Sequence, residues 1–97
     1  MYLVTMEPRL GADMTQMQAT LNLADDCYRF GPMMWIIVTD DDASVWQKRL
    51  LRFAKPGGRL FVCRLDTKDK QGWMPKRFWR WLRECEIDGD LDDWTKE

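Results

Sequence analysis

Three cations and one tryptophan near the end of the chain have a spacing suited to binding a polyanion. Lys76, Arg80 and Arg83 are four and then three residues apart, and Trp79 lies beside them. Residues at these spacings share one face of an α-helix. Cationic side chains contact phosphates, an indole ring can stack on a nucleobase, and tryptophan and arginine also dominate protein interfaces. The pattern predicts a helix face that binds nucleic acid or a protein partner.

The same stretch carries an apolar face that would attach the helix to a core. Phe78, Trp81, Leu82 and Cys85 recur at i, i+3, i+4 and i+7, which is the spacing of one buried helix face. Pro75 precedes them, and proline is tolerated in the first helical turn. We therefore expect a helix that begins near this proline. The candidate binding residues are Trp73, Lys76, Arg77, Trp79, Arg80 and Arg83.

The formal net charge of −1 conceals a segregated pattern. Residues 48–83 hold twelve Lys or Arg and two Asp, whereas residues 84–97 hold seven acids and one lysine. Residues 1–47 are also acidic. Such segregation is typical of a polyanion site, although the same charges form ordinary solvated faces if folding mixes them. The pI of about 5.4 is lower than that of most nucleic-acid-binding domains.

The length of 97 residues and the apolar fraction of 45% predict one globular domain. We assign the domain to residues 1–85 and an acidic C-terminal tail to residues 86–97. No apolar run approaches the roughly 18 residues of a membrane helix. The run Met1 to Met6 is too short for a signal peptide and lacks a basic start. We therefore expect a cytoplasmic protein without membrane contact.

The chain contains no histidine and three widely spaced cysteines. Without histidine, the usual general base, most zinc sites and every Ser-His or Cys-His nucleophile are excluded. Cys27, Cys63 and Cys85 form no CxxC pair, which is typical of reduced, mostly buried thiols. We expect no cofactor and no resident metal, and a protein that is not an enzyme.

Periodicity predicts four strands and three helices. In chain order these are a strand at 2–7, a helix at 14–24, strands at 27–30 and 33–39, a helix at 43–55, a strand at 59–65 and a helix from about 75 to 85. The strand at 33–39 is apolar on both faces, as a central strand is. The βαββαβ order predicts a ferredoxin-like α+β fold, with two helices on one face of the sheet and an additional C-terminal helix.

Buried faces and helix caps follow from the same patterns. The predicted core residues are Tyr2, Val4 and Met6 in the first strand, Met14, Met17, Leu21 and Ala24 in the first helix, and Trp46, Leu50, Phe53 and Ala54 in the second. Asp13 has the position of an N-cap. The run Asp40 to Asp42 suggests a metal site, but the favoured interpretation is that Asp42 or a neighbour caps the helix that follows.

The segments MYLVTME, MMWIIVTD, RLFVCRL and GW followed by FWRWL occur in this order with helices between them. In this pattern residues 1–85 resemble the SinR-family proteins, small relatives of the CRISPR-associated adaptation nucleases. The resemblance implies a ferredoxin-like homodimer. In the nuclease relatives, an acidic residue ends the first strand, and two copies hold a divalent metal at the dimer interface. Glu7 has that position here, after Met6, whereas the relatives favour a Tyr-Asp pair.

The resemblance and the basic helix together favour a small non-catalytic binding protein connected to nucleic-acid or CRISPR and phage-defence machinery. Its expected partners are a nucleic acid or nucleoprotein complex and a second copy of the chain. One alternative is a phage or mobile-element protein that inhibits a defence complex through protein contacts. Another is a metal-dependent nuclease that uses Glu7. The acidic tail would compete with a phosphate ligand, so deletion of residues 86–97 is expected to tighten binding.

Overall fold

The structure, a computed structural model, describes residues 1–86, which contain four strands and three helices. They are β1 (Tyr2–Glu7), α1 (Met14–Leu21), β2 (Asp26–Gly31), β3 (Met34–Val38), α2 (Ala43–Ala54), β4 (Arg59–Arg64) and α3 (Lys76–Glu86). The chain divides into two compact units. We call residues 1–65 the sheet unit and the residues from Asp66 onward the helix unit. The predicted acidic tail lies outside the described residues, apart from Glu86, which ends α3.

The four strands form one antiparallel sheet with the order β2-β3-β1-β4. The strand β3 pairs with both β1 and β2, so the prediction that this apolar run is a central strand is confirmed. Its residues Trp35, Ile36 and Ile37 are all buried, which explains why it is apolar on both faces. The α+β class predicted from the sequence is therefore confirmed.

One face of the sheet forms the core of the sheet unit together with α1 and α2. Successive strand side chains point to opposite faces, so Tyr2, Val4 and Met6 are buried together. The cluster is completed by residues of the second central strand and both helices, namely Met17, Leu21, Trp35, Ile37, Trp46, Leu50 and Phe53. The two helices therefore lie on one face of the sheet, as predicted.

The helix α1 begins as the sequence predicts and ends three residues earlier. The carboxylate of Asp13 accepts hydrogen bonds from the backbone N–H groups of Thr15 and Gln16 at 3.0 and 3.1 Å. After Leu21 the chain turns, and the Asp25 N–H bonds to the Val38 carbonyl oxygen at 2.8 Å. This bond belongs to the start of β2, so the helix must end before it.

The helix α2 confirms its predicted apolar face but not its predicted side-chain cap. Asp42 occupies the N-cap position without a side-chain capping hydrogen bond. Its backbone carbonyl instead accepts from the N–H groups of Val45 and Trp46 at 3.1 and 3.4 Å. The neighbouring Asp41 carboxylate accepts from Arg49 at 3.2 Å. The acidic run therefore contributes an ion pair to α2 rather than a side-chain cap.

In the helix unit, α3 begins immediately after Pro75, as predicted. The Phe78 N–H donates to the Pro75 carbonyl oxygen at 3.0 Å, which closes the first turn. Phe78 and Leu82 are buried, and Trp81 and Cys85 are half-buried, so the predicted apolar face is confirmed. Among the described residues, no helix is long and apolar enough to cross a membrane.

Candidate nucleic-acid interface

The helix unit contains an open cleft of about 520 Å³. It is lined by Lys70, Gln71, Gly72, Lys76, Trp79, Arg80 and Arg83. Four of these seven side chains are cationic, and none is a carboxylate. An anion in the cleft would therefore face cations on several sides, at the short distances where Coulomb attraction is strongest.

The helix α3 and the loop before it each supply one wall of the cleft. Lys76, Trp79, Arg80 and Arg83 are at i, i+3, i+4 and i+7 along α3. At 3.6 residues per turn these positions fall on one face of the helix, and the buried Phe78 falls on the opposite face. The loop wall is Lys70 to Gly72, from the polar segment that follows the sheet unit. The periodicity that predicts the cationic helix face therefore also explains the helical wall of the cleft.

Lys70 holds the loop wall against the end of α3. Its Nζ donates to the Thr67 carbonyl oxygen at 2.9 Å and to Glu86 Oε2 at 3.3 Å. The two charged side chains are only 19% and 10% exposed. The Glu86 carboxylate already neutralises the charge of the Lys70 ammonium group. Lys70 therefore mainly connects the loop to α3, and the charge available to a ligand comes from α3.

Trp79 is the aromatic side chain of the cleft. A Cβ atom at Gly72 would lie 3.7 Å from the Cζ2 and Cη2 atoms of the indole, so the ring lies close to the glycine backbone. Phe78 meets the indole edge-on, with ring centroids 5.3 Å apart and an interplanar angle of 77°. The indole is half-buried, so it is held in place while part of it stays accessible.

Lys76 and Arg80 are the exposed cations of the helical wall. Among residues 66–86, neither side chain forms an ion pair with a carboxylate. Exposed cations without an intramolecular partner keep their full charge available for a ligand. These two side chains are therefore the first candidates for phosphate contacts.

The cleft brings together four of the six residues predicted from the sequence. Lys76, Trp79, Arg80 and Arg83 line it, whereas Trp73 and Arg77 do not. Trp73 lies in the loop before α3 and is 99% exposed. Sequence reasoning named Lys70 only as a cation that could extend the basic patch, and it missed Gln71 and Gly72 of the loop wall. The loop wall is indicated in the sequence by a lysine and a glycine in the polar segment just before a tryptophan-rich helix.

Glu7 lies at the end of β1, in the sheet unit. Its carboxylate is 3.9 Å from the Nε of Arg59, with the two side chains 70% and 85% exposed. Arg9, two residues further on, donates its Nε–H to the Arg52 carbonyl oxygen at 2.8 Å. Glu7 pairs across the β1–β4 ladder, where Arg59 is its register partner.

Potential metal ligands are dispersed over the described residues. Among residues 1–86, no three Asp, Glu, Cys or His side chains come close enough together to hold an ion. In the run of three aspartates, Asp41 is bonded to Arg49. Burial raises the pKa of the Cys27 thiol. A side-chain hydrogen bond with Gln18 lowers this pKa, and the negative charge of the nearby Asp26 carboxylate raises it further. Cys27 therefore stays protonated at neutral pH and is not a reactive nucleophile.

Comparison of the chain with protein-family models, with curated proteins and with solved structures found no match. The class of this protein is described by its fold and its cleft. It is a small α+β chain with a four-stranded antiparallel sheet and a basic, tryptophan-containing cleft.

Proposed function

We propose that this protein is a non-catalytic nucleic-acid-binding module that acts through the cleft of the helix unit. The observation that carries the proposal is the lining of the cleft, which Lys76, Arg80 and Arg83 share with Trp79 and to which, among the described residues, no carboxylate belongs. Cations release counterions when they contact phosphates, and an aromatic ring adds sequence-tolerant stacking. This combination favours a nucleic acid over a neutral ligand.

We also propose a ferredoxin-like fold and a SinR-type role for the chain, at the level of a resemblance. Support for the fold comes from the strand, helix, strand, strand, helix, strand order, with both helices of the sheet unit on one face. The resemblance adds a cytoplasmic homodimer connected to CRISPR or phage-defence machinery. Analytical ultracentrifugation tests the dimer, and a sedimenting species of one chain would contradict it.

The proposed function is tested by fluorescence anisotropy with labelled DNA and RNA, single- and double-stranded, over a range of salt concentrations. The variant is Lys76→Ala/Arg80→Ala. We expect it to bind more weakly, with a plot of log K against log salt that is shallower by about 1.4 for a single strand, since each lost phosphate contact removes about 0.7.

A matched control comes from the sheet unit. Lys48→Ala/Lys55→Ala removes the same charge from two exposed positions on and just after α2. Under the proposal the control keeps the wild-type salt dependence. Equal weakening by both variants would indicate attraction to net charge alone, and absence of binding to every probe would overturn the proposal.

A second candidate function, inhibition of a defence complex through protein contacts, is favoured by Trp73. A tryptophan that is 99% exposed is unusual on a surface that contacts only water, and tryptophan is enriched at interface hot spots. Trp73→Ala is expected to leave nucleic-acid binding intact and to abolish capture of a protein partner. The nuclease alternative is tested with Mg²⁺ in the same titrations: cleavage that Glu7→Ala abolishes would support it.

A further inference from the structure

We infer that the ligand of the cleft is a single-stranded nucleic acid, with one unpaired base stacked on Trp79 and the adjoining phosphates held by Lys76 and Arg80. This inference rests on the proposed function and names its ligand. Three observations support it: the availability of the indole, the length of the cationic row and the size of the cleft.

The indole of Trp79 is available because no cation of residues 66–86 covers it. In the sheet unit, four arginines lie over aromatic rings, with the guanidinium carbon 4.7 to 5.6 Å from the ring centroid. Within the described part of the helix unit, no cation takes that place on Trp79, although Lys76 and Arg80 line the same cleft. A nucleobase can supply the stacking partner that this indole does not have within the described part of the helix unit.

The cations of the helical wall match a strand rather than one isolated phosphate. From Lys76 to Arg83 the helix advances about 10 Å, so the cationic row is longer than a single phosphate group. Lys76 and Arg80 are one turn apart, so they suit successive positions along a backbone.

The cleft favours an unpaired base over a base inside a duplex. Its volume of about 520 Å³ is within the range of small-ligand pockets, which is roughly 300 to 1,000 Å³. A base in a duplex is already paired and stacked, and extruding it costs free energy that a single strand does not pay. Gln71, in the loop wall, offers an amide donor and acceptor to the edge of a base.

The test compares oligonucleotides of about 12 nucleotides, a length within the usual site size for single-strand binders. The probes are oligo(dT), oligo(rU), a backbone of the same length without bases, and a duplex. Tighter binding of either base-bearing single strand than of the abasic strand and the duplex, by about tenfold, is the expected result. Oligo(dT) and oligo(rU) show whether DNA or RNA is preferred.

The variant Trp79→Leu assigns the effect to the ring. It is expected to lower the affinity for the base-bearing strands to that for the abasic strand and to leave abasic binding unchanged. The matched control is Trp73→Leu, which removes an exposed indole of the same unit that does not line the cleft. The control should keep the tenfold preference. Circular dichroism checks that both variants are folded.

The outcomes separate this inference from the function on which it rests. If wild-type protein binds abasic and base-bearing strands equally, or binds the duplex as tightly as oligo(dT), the single-strand inference is overturned and the nucleic-acid function stands. If no nucleic acid binds, both are overturned. If an acidic peptide binds the cleft and the oligonucleotides do not, the ligand is a protein and both proposals are again overturned.

Discussion

The sheet unit and the helix unit use arginine and aromatic residues in different ways. In the sheet unit, arginines cover rings in four pairs, Arg29 on Trp35, Arg49 on Trp46, Arg52 on Phe53 and Arg64 on Tyr2. In the helix unit, Trp79 and Arg80 line one cleft without such a pairing among the described residues. The same residue types therefore stabilise a fold when they contact one another and form a binding surface when they do not.

Two of the paired arginines also donate hydrogen bonds to other residues of the sheet unit. Arg64 donates to the Tyr2 hydroxyl at 3.0 Å, and Arg49 donates to Asp41 at 3.2 Å. Each of these two guanidinium groups thus contacts a ring and a polar partner inside the sheet unit. Their loss should therefore reduce stability, whereas loss of the cleft cations should reduce binding.

The largest expected difference is between two tryptophans. Trp46 is completely buried, and Trp46→Ala should lower the free energy of unfolding by about 3–5 kcal/mol because it leaves a cavity. Trp79→Ala removes one edge-on ring contact and should cost about 1 kcal/mol. Urea denaturation followed by circular dichroism measures both values. Equal losses would mean that Trp79 is a core residue, and the comparison between the units would then fail.

The next effect concerns two adjacent glycines in the turn between α2 and β4. At Gly58 a Cβ would lie 2.8 Å from the Ala54 carbonyl oxygen, 2.9 Å from the Pro8 carbonyl carbon and closer still to the Glu7 carbonyl oxygen. Gly58→Ala should therefore cost about 1–3 kcal/mol or more, the range of overpacking. At the adjacent Gly57 a Cβ meets nothing within 4 Å, so Gly57→Ala should stay within about 0.5 kcal/mol of wild type. Thermal unfolding of the two variants makes the comparison, and similar melting temperatures would contradict it.

A smaller effect separates two arginines. Arg49→Ala should lower the free energy of unfolding by about 0.5–1 kcal/mol, because a partly exposed ion pair and a cation–π contact are lost together. Arg80→Ala should leave that free energy unchanged, because the side chain is exposed and has no ion pair within residues 66–86. Chemical denaturation gives the stabilities, and anisotropy should show weaker nucleic-acid binding for Arg80→Ala alone. Destabilisation by Arg80→Ala would show that the cleft cations are structural.

The smallest expected effect is that of the acidic C-terminal residues. Residues 87–97 contain five acids and one lysine, so their removal should tighten nucleic-acid binding a few-fold at low salt and very little at high salt, because salt screens the repulsion. The deletion should keep Glu86, since this residue pairs with Lys70 beside the cleft. Anisotropy titrations at two salt concentrations measure the change. An unchanged affinity at low salt would refute competition by the tail.

Much of the sheet unit was predictable from local patterns. The alternation at Tyr2, Val4 and Met6 and the helical spacing of Trp46 and Leu50 identify buried faces, because side-chain direction follows backbone periodicity. The side chain of Asp42 and the partner of Glu7 were not predictable in this way. Whether a carboxylate caps a helix or pairs with an arginine depends on which other groups the fold brings near it. Arg59 reaches Glu7 through the register of β1 and β4, which local sequence does not contain.

The number and order of the elements, the buried faces and the cationic face of α3 can be predicted from local sequence, since each depends on spacing within one segment. The tertiary structure alone decided which charges stay available. Lys70 and Glu86 are sixteen residues apart and neutralise each other, and Arg64 reaches Tyr2 across sixty-two residues. Trp79 and Arg80 keep no such partner in the described chain. Pairing energies fall steeply with distance, and distance between remote residues is fixed only when the chain folds.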